Sequence, residues 1–189
     1  MNIVYYEEPF YHIIVNDIFG EEEYNLIQKE IDSLISMPQT IENDQHHQDI
    51  ALSNIQSWEL DSVYKDRRED SQILKSTRRA FQIPFDRKKF PFADLLFKAN
   101  SDHSMLHSYM NDSYYFRHTD DSFLTFLFNL WKRGEFEGGQ LVFSDYDYIP
   151  KLEKNSLIIF PGNVVHQVNP LKGEGVDRVI LNRRLWINQ

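Results

Sequence analysis

The N-terminal part of the chain shows two successive patterns of apolar residues. Phe10–Asp17 (FYHIIVND) is rich in aromatic and β-branched side chains, which is typical of a β-strand. Gly20 and three glutamates follow, and glutamates favour the positive end of a helix dipole. The next apolar residues recur at the spacing of one helix face: Tyr24, Ile27, Ile31, Leu34 and Ile35. The pattern predicts a strand and then an amphipathic helix that ends before Pro38.

The middle of the chain has a weaker pattern. Asn43–Ile50 is polar and predicts a loop, in which His46 and His47 are interpreted as surface residues. Residues 58–81 favour helix, although their apolar residues follow the helical period less regularly.

The segment from Lys65 to Lys89 is locally basic. It contains nine Lys or Arg residues and four acidic residues, which gives a local excess of five positive charges. Such a segment is typical of a solvated helix face with mixed ion pairs. The alternatives are a docking surface for an acidic partner and a lid over an active site.

From Ala93 onward, short apolar runs alternate with turn signals such as Gly138-Gly139 and Pro161-Gly162. Many short strands with regular breaks favour a sandwich or a barrel. The predicted strands are 104–110, 114–118, 123–131, 139–143, 156–160, 164–168 and 176–186. We therefore predict a mainly β protein with supporting N-terminal helices and a double-stranded β-helix (jelly-roll) core. The domain organisation is a single domain over 1–189, with 1–92 as helical and mixed support and 93–189 as the core.

Composition narrows the class of protein. A length of 189 residues fits one domain. Cysteine is absent, so a metal site would need His, Asp or Glu ligands. A formal net charge of −9 disfavours general binding to nucleic acid or anionic membranes. Neither a secretory signal nor an apolar run of about 20 residues is evident, which predicts a cytoplasmic location.

Three residues could together bind a metal ion. His118 and Asp120 are two positions apart, so both side chains point to the same face of a strand. His166 lies 48 residues later, which leaves room for strands that return it to the first pair. Two imidazoles and one carboxylate hold iron on one side and leave coordination positions open on the other, as in non-heme Fe(II) oxygenases.

A basic residue follows the second histidine. Arg178 lies twelve residues after His166, and Ile180, Asn182 and Arg184 share its face if the strand continues. An inward-facing arginine requires an anion, and its planar fork fits a carboxylate. The alternative is a structural ion pair with an Asp or Glu.

The remaining histidines are poorer candidates for ligands. His103 and His107 are four residues apart, but no glutamate follows the first one as zinc proteases require, and His107 is predicted in a strand. His12 alternates with core residues and is interpreted as structural.

With these residues in place, the sequence resembles the Fe(II)/2-oxoglutarate-dependent dioxygenases, most closely the prolyl-4-hydroxylase-like group. The resemblance covers most of the chain and is weakest over 43–90. The segments that carry it are 9–17, Tyr109, 115–120 (YFRHTD), 126–131 (FLFNLW), 138–141 (GGQL), 159–161 (IFP), 166–170 (HQVNP) and Arg178.

The resemblance implies roles for these positions. His118, Asp120 and His166 would bind Fe(II), and Arg178 would pair with the distal carboxylate of 2-oxoglutarate. Tyr109 matches a tyrosine that lines the cosubstrate pocket. Arg184 is a second candidate for that carboxylate, because the turn before Arg178 is slightly long.

The implied reaction is hydroxylation of a C–H bond, most closely in a prolyl or other residue of a protein or peptide. O2 would be the second cosubstrate, succinate and CO2 would be released, and ascorbate is a candidate reductant. One departure is that this chain has Leu127 and Phe128 where many members carry a tyrosine, so one hydroxyl contact to the cosubstrate would be missing.

Two alternative functions stay open at this point. The spacing of Arg178 and Arg184 reproduces an R-x5-R pattern of AlkB-type nucleic-acid demethylases, and the segment 65–89 is basic. The overall acidity and the lack of an evident base-stacking loop count against that function. The other alternative is a non-catalytic, cupin-like binding module.

Overall fold

The computed structural model describes residues 1–38, 55–175 and 177–187. The strands of these ranges are β1 (Asn2–Tyr6), β2 (His12–Asn16), β3 (Ile55–Glu59), β4 (Ser101–Tyr109), β5 (Tyr115–His118), β6 (Leu124–Arg133), β7 (Glu137–Gly138), β8 (Leu141–Val142), β9 (Ser156–Pro161), β10 (His166–Val168), β11 (Leu171–Lys172) and β12 (Asp177–Trp186). The helices are α1 (Glu21–Ile35), α2 (Leu60–Tyr64), α3 (Gln72–Arg78) and α4 (Ala93–Leu96). Short 3-10 turns cover Arg68–Asp70, Arg79–Gln82 and Ser144–Tyr146.

The strands form one large and two small antiparallel sheets. The large sheet has seven strands in the order β1-β2-β9-β6-β12-β4-β3. β5, β10 and β8 form a three-stranded sheet, and β7 pairs with β11. The predicted mainly β architecture with supporting helices is therefore confirmed.

The two faces of the large sheet contact different partners. α1 buries Ile27 and Ile31 in the same hydrophobic cluster as Phe126 of β6, so the helices cover one face. The neighbouring residue Leu127 belongs to a second cluster with Phe160 and Val168 of β10. Since side chains alternate along a strand, the second face of the large sheet packs towards the small one. The functional residues lie between these two sheets.

Most of the predicted elements are found close to their predicted positions. The first predicted strand and helix are β2 and α1, and the predicted C-terminal strands are β4, β5, β6, β8, β9, β10 and β12. The prediction of helix from residue 58 was wrong at its start. Trp58 lies in β3, where it is fully buried opposite Leu106 of β4. Burial in the sheet overrides the weak helical pattern of this segment.

Two other predictions concern the first half of the chain. The predicted loop Asn43–Ile50, with its two histidines, lies outside the described residues. His12 is fully buried; its Nδ1 bonds to the Phe10 carbonyl at 2.9 Å and its Nε2 to the Tyr148 hydroxyl at 2.9 Å, in keeping with a structural role.

The predicted division into a supporting part, 1–92, and a β core, 93–189, does not match the sheets, because the large sheet contains strands from both parts. β1 and β3, from the predicted supporting part, form the two edges of the large sheet, and β2 lies inside it. The single-domain assignment stays a prediction. The longest helix in the described ranges has 15 residues, and none of them is both long and apolar enough to cross a bilayer.

Several arginines of the basic segment make ion pairs. Arg87 lies 3.0 Å from Asp94, Arg67 lies 3.5 Å from Asp70, and Arg79 pairs with Glu23. These pairs agree with the mixed ion pairs of the first interpretation, but none of the three arginines lies in an α-helix.

Arg68 of the segment joins an ion pair that reaches the core. Arg183 of β12 is 1% exposed, and it pairs with Asp102 and donates to Thr77 Oγ1 at 2.8 Å. Arg68 adds a second bond to Asp102 at 2.7 Å. Burial alone would raise the pKa of Asp102, but the Arg183 and Arg68 guanidiniums outweigh it and hold that pKa below its ordinary value.

Asp102→Asn is expected to lower the free energy of unfolding at neutral pH by about 2 kcal/mol, because Arg183 loses its counter-charge. A depressed pKa stabilises the fold above the ordinary carboxyl range, and this contribution disappears as the pH falls through the folded-state pKa. In urea unfolding, the difference in unfolding free energy between wild type and variant should therefore become smaller below about pH 4. Asp94→Asn, in an exposed pair, should change stability by less than about 0.5 kcal/mol. If the difference in unfolding free energy does not change with pH, ionised Asp102 does not stabilise the fold.

Candidate metal centre

Strand pairing brings the two histidines together. His118 ends β5 and His166 begins β10, and the two residues are directly opposite in the antiparallel register. Their ring centroids are 4.2 Å apart. Asp120 follows β5, and its backbone N–H donates to the carbonyl of Gly162 at 2.8 Å, which fixes the turn that carries the carboxylate.

The three side chains form a compact cluster. Asp120 Oδ1 lies 3.9 Å from His118 Nε2, and Asp120 Oδ2 lies 3.7 Å from His166 Nε2. One ligand atom from each residue falls within 4.8 Å of the others. Asp120 is 7% exposed and His166 is 2% exposed, while His118 is partly exposed. The cluster thus has a buried side and an open side.

Backbone hydrogen bonds set the orientation of both imidazoles. His118 Nδ1 donates to the carbonyl of Phe116 at 2.7 Å, and His166 Nδ1 donates to that of Val164 at 2.9 Å. A carbonyl can only accept, so each neutral ring carries its hydrogen on Nδ1 and presents a lone pair at Nε2. This arrangement is the one that metal-binding histidines require. The donor set of two imidazole nitrogens and one carboxylate fits Fe(II).

A hydroxyl on β6 holds the carboxylate. Thr125 Oγ1 donates to Asp120 Oδ2 at 2.5 Å, and Thr125 is fully buried. Partners of this kind orient a metal ligand and adjust its basicity.

Thr125→Val is expected to weaken metal binding about tenfold with little change in side-chain volume, because Asp120 loses its orienting donor. Titration with Mn(II), followed by electron paramagnetic resonance, measures this affinity. Thr125→Ser, which keeps the hydroxyl, is the matched control and should retain most of it. Equal affinities for the valine and serine variants would show that the bond has no role in binding.

A cavity of about 490 Å³, its open mouth included, extends from the two histidines between the sheets. Its lining is His107, Tyr109, Tyr115, His118, Leu127, Asn129, Leu141, Leu152, His166, Val168, Arg178, Ile180 and Asn182.

Arg178 lies in the cavity at a distance from the histidines along β12. It is 6% exposed; its Nε donates to Asn129 Oδ1 at 3.3 Å, and its Nη1 donates to the carbonyl of Gly139. Burial lowers the pKa of Arg178 to about 10. Among the described residues, no carboxylate lies within ion-pair distance of it. A buried guanidinium held only by neutral groups fits an anionic ligand.

Tyr109 lies beside this guanidinium. It is the register partner of Arg178 on β4 and is 3% exposed. Burial raises the pKa of Tyr109 well above its ordinary value. Its hydroxyl is therefore protonated at neutral pH and can donate to an anion in the cavity.

The structure places most of the predicted site residues around this cavity. His118, His166, Arg178 and Tyr109 line it, and Asp120 lies beside the two histidines. Arg184 is on the same strand as Arg178 but is not part of the lining, so the structure does not bring all predicted residues together. The structural ion pair considered for Arg178 is not among the pairs of the described residues.

Sequence reasoning missed four residues of the site. Thr125 and Asn129 hold Asp120 and Arg178, and their two-residue period with Leu127 was a usable signal for an inward face of β6. Tyr115 contacts His118 with ring centroids 4.5 Å apart. His107 lines the cavity and bonds to the Ser57 hydroxyl at 2.7 Å.

Comparison with known proteins agrees with the site. Residues 104–188 match the model of the 2OG-Fe(II) oxygenase superfamily, and this range includes the whole metal-ligand cluster and Arg178. Among curated proteins, no sequence matches the chain.

Several solved structures with a similar fold are prolyl hydroxylases. A collagen prolyl hydroxylase of Paramecium bursaria Chlorella virus-1, in complex with 2OG, is 15% identical with a TM-score of 0.59, over 94% of this chain and 97% of that one. A Trichoplax adhaerens prolyl hydroxylase, bound to a peptide fragment of hypoxia inducible factor, is 14% identical with a TM-score of 0.65. The match covers 93% of this chain and 83% of that one. A Pseudomonas putida prolyl-4-hydroxylase is 16% identical with a TM-score of 0.61. The match covers 94% of this chain and 92% of that one. At these identities the likeness shows the fold, and it confirms the double-stranded β-helix.

Fold and site together define an iron- and 2-oxoglutarate-dependent dioxygenase with a prolyl-hydroxylase-like fold. The part of the chain that contains the site, residues 104–188, matches the 2OG-Fe(II) oxygenase superfamily.

Proposed function

We propose that the protein hydroxylates a C–H bond in a prolyl or other residue of a peptide or protein, consuming O2 and 2-oxoglutarate and releasing succinate and CO2. The observation that carries this proposal is the shared cavity: His118 and His166 of the metal-ligand cluster line one end of it, and a buried arginine without a carboxylate partner among the described residues lines the other. A dicarboxylic acid fits between a metal ion and such a guanidinium.

In this proposal His118, Asp120 and His166 hold Fe(II), which supplies the oxidative chemistry when it is bound. Asp120 offsets part of the metal's charge, and Thr125 keeps that carboxylate in place. The backbone accepts the Nδ1 hydrogens of the two histidines, so each ring is oriented to bind the metal through Nε2.

The other end of the cavity orients the cosubstrate. Arg178 pairs with the distal carboxylate of 2-oxoglutarate, and the Tyr109 hydroxyl donates to the same group. Asn129 and the Gly139 carbonyl fix the guanidinium before the ligand arrives, so little conformational freedom is lost on binding. Leu127 and Ile180 of the lining keep water away from the carbon chain between the two ends.

The peptide class of substrate rests on the structural relatives. One of them is a collagen prolyl hydroxylase, and another is bound to a peptide fragment of hypoxia inducible factor. The R-x5-R pattern of a nucleic-acid demethylase gains no support, because Arg184 is not part of the cavity lining. The cytoplasmic location and the use of ascorbate stay predictions.

The decisive test is turnover. Purified protein with Fe(II), ascorbate and 2-oxoglutarate is expected to release succinate, and proline-containing peptides are expected to increase the rate and gain one oxygen atom by mass spectrometry. Absence of succinate with every peptide, together with a lack of iron binding, would refute the proposal.

A further inference from the structure

β12 carries a second arginine on the face of the metal centre. Arg178, Ile180 and Asn182 line the cavity at every second position, and Arg184 continues this period. The residues between them point to the opposite face, where Leu181 packs in the helix-side core. Arg184 thus lies on the cavity side of the large sheet, beyond the end of the cavity itself.

Strand pairing places Arg184 close to the carboxylate of the metal-ligand cluster. Its register partner on β6 is Thr125, whose hydroxyl donates to Asp120. Adjacent strands are about 4.8 Å apart, whereas Arg178 lies six residues away, roughly 20 Å along β12. The two arginines therefore occupy opposite ends of the row of residues that faces the metal centre.

A hydrogen-bonded relay holds the Arg184 side chain. His103 Nε2 donates to Glu59 Oε1 at 2.7 Å, so the neutral ring has an acceptor at Nδ1. Arg184 Nη2 lies 3.4 Å from that atom. The guanidinium carbon is also 6.0 Å from the centre of the Trp186 ring, within reach of a cation–π contact. The relay fixes one side of the guanidinium and leaves its other N–H groups for a ligand.

Arg184 differs from the adjacent arginine in its partners. Arg183 points to the helix side and is neutralised by Asp102. Among the described residues, no carboxylate is within ion-pair distance of Arg184, and its Nε is buried without a hydrogen-bond partner. Arg184 is partly exposed, so an anion can reach the accessible N–H groups of its guanidinium and supply the counter-charge that the described residues do not.

We infer that Arg184 binds a carboxylate of the primary substrate, which makes the enzyme selective for substrates with a carboxylate near the carbon that is hydroxylated. This inference rests on the proposed function. A carboxylate matches the planar fork of an arginine. A phosphate dianion is disfavoured, because Glu59 in the relay reduces the positive charge available. In a peptide the carboxylate is an acidic side chain or the free C-terminus; in a free amino acid it is the α-carboxylate.

Isothermal titration calorimetry of the Mn(II)- and 2-oxoglutarate-loaded protein tests this inference without turnover. The probes are three matched pairs: L-proline and L-prolinamide, Ala-Ala-Pro as free acid and as amide, and capped Ala-Pro-Glu-Ala and Ala-Pro-Gln-Ala. At least one carboxylate is expected to bind about tenfold more tightly than its carboxamide. The pair that shows the preference identifies the source of the carboxylate. The inference is overturned if no pair shows one.

Variants of Arg184 test whether this residue causes the preference for the carboxylate over the carboxamide. Arg184→Gln should bind both members of the pair equally and keep its Kd for 2-oxoglutarate within about twofold. Arg184→Lys keeps the charge without the fork and should retain part of the preference, which covers the case of a glutamine variant that does not fold. Arg87 lies on the exposed surface, so Arg87→Gln is the control and should keep the wild-type preference for the carboxylate.

Two further outcomes would overturn the inference. One is a preference that survives in Arg184→Gln. The other is a loss of 2-oxoglutarate binding in that variant, which would assign Arg184 to the cosubstrate. A wild-type protein that binds neither Mn(II) nor 2-oxoglutarate would instead overturn the proposed function, and the inference with it.

Discussion

Asp120→Asn is expected to lower the rate of succinate release more than about 100-fold, because loss of a partner that merely orients a ligand already costs 10- to 100-fold in such sites. The amide removes the charge that offsets the metal ion but can still accept the hydrogen bond from Thr125. The metal-free protein should therefore unfold at nearly the wild-type temperature. The measurements are succinate release, Mn(II) affinity and thermal unfolding without metal.

The adjacent residue supplies the control. Asp121 is exposed, so Asp121→Asn removes the same charge without touching the cluster and should leave metal affinity and turnover at wild-type levels. If both variants lose metal affinity equally, local charge and not coordination would explain the loss.

Arg178→Gln is expected to weaken binding of 2-oxoglutarate about 100-fold, because a buried, hydrogen-bonded charge pair loses one partner. The cosubstrate at 100 times the wild-type Kd should stabilise the Mn(II)-loaded wild type by about 2.7 kcal/mol, and the variant by only about 0.4 kcal/mol. The ligand-free variant should not be less stable than the wild type by a comparable amount, because burial already disfavours the charge of Arg178. Thermal unfolding with and without the cosubstrate measures both effects.

Arg133 provides a matched arginine nearby. It pairs with Asp177 at the start of β12, and its side chain is 63% exposed, so Arg133→Gln should change stability little and cosubstrate binding not at all. A full stabilisation by 2-oxoglutarate in Arg178→Gln would show that another cation holds the distal carboxylate, and Arg184 would be the first one to test.

The parts of the site that follow a strict period were predictable from the sequence. His118 and Asp120 point the same way because they are two residues apart, and Arg178 shares a face of β12 with Ile180 and Asn182 through the same two-residue period. The return of His166 to the first pair depends on strand order, which the sequence does not encode locally. The family resemblance, rather than spacing, supplied that pairing.

The missed residues depend on contacts between distant segments. Thr125 and Asn129 have meaning only once β6 lies beside β12 and the Asp120 turn. The helical prediction over Trp58 failed for a related reason, because a buried edge strand beside β4 outweighs a weak local period. The two candidate arginines also could not be separated from sequence, since both share one face of β12.

The alternation of β12 makes this strand sensitive to length. Arg183 and Arg184 are neighbours, yet one neutralises a carboxylate beneath the helices and the other faces the iron site. An insertion of one residue directly after Asn182 would move each of the two arginines to the opposite face of the sheet, leaving an unpaired charge in the interior and an apolar side chain at the catalytic face. In this protein, substitutions along the last strand should therefore be tolerated more often than changes in its register.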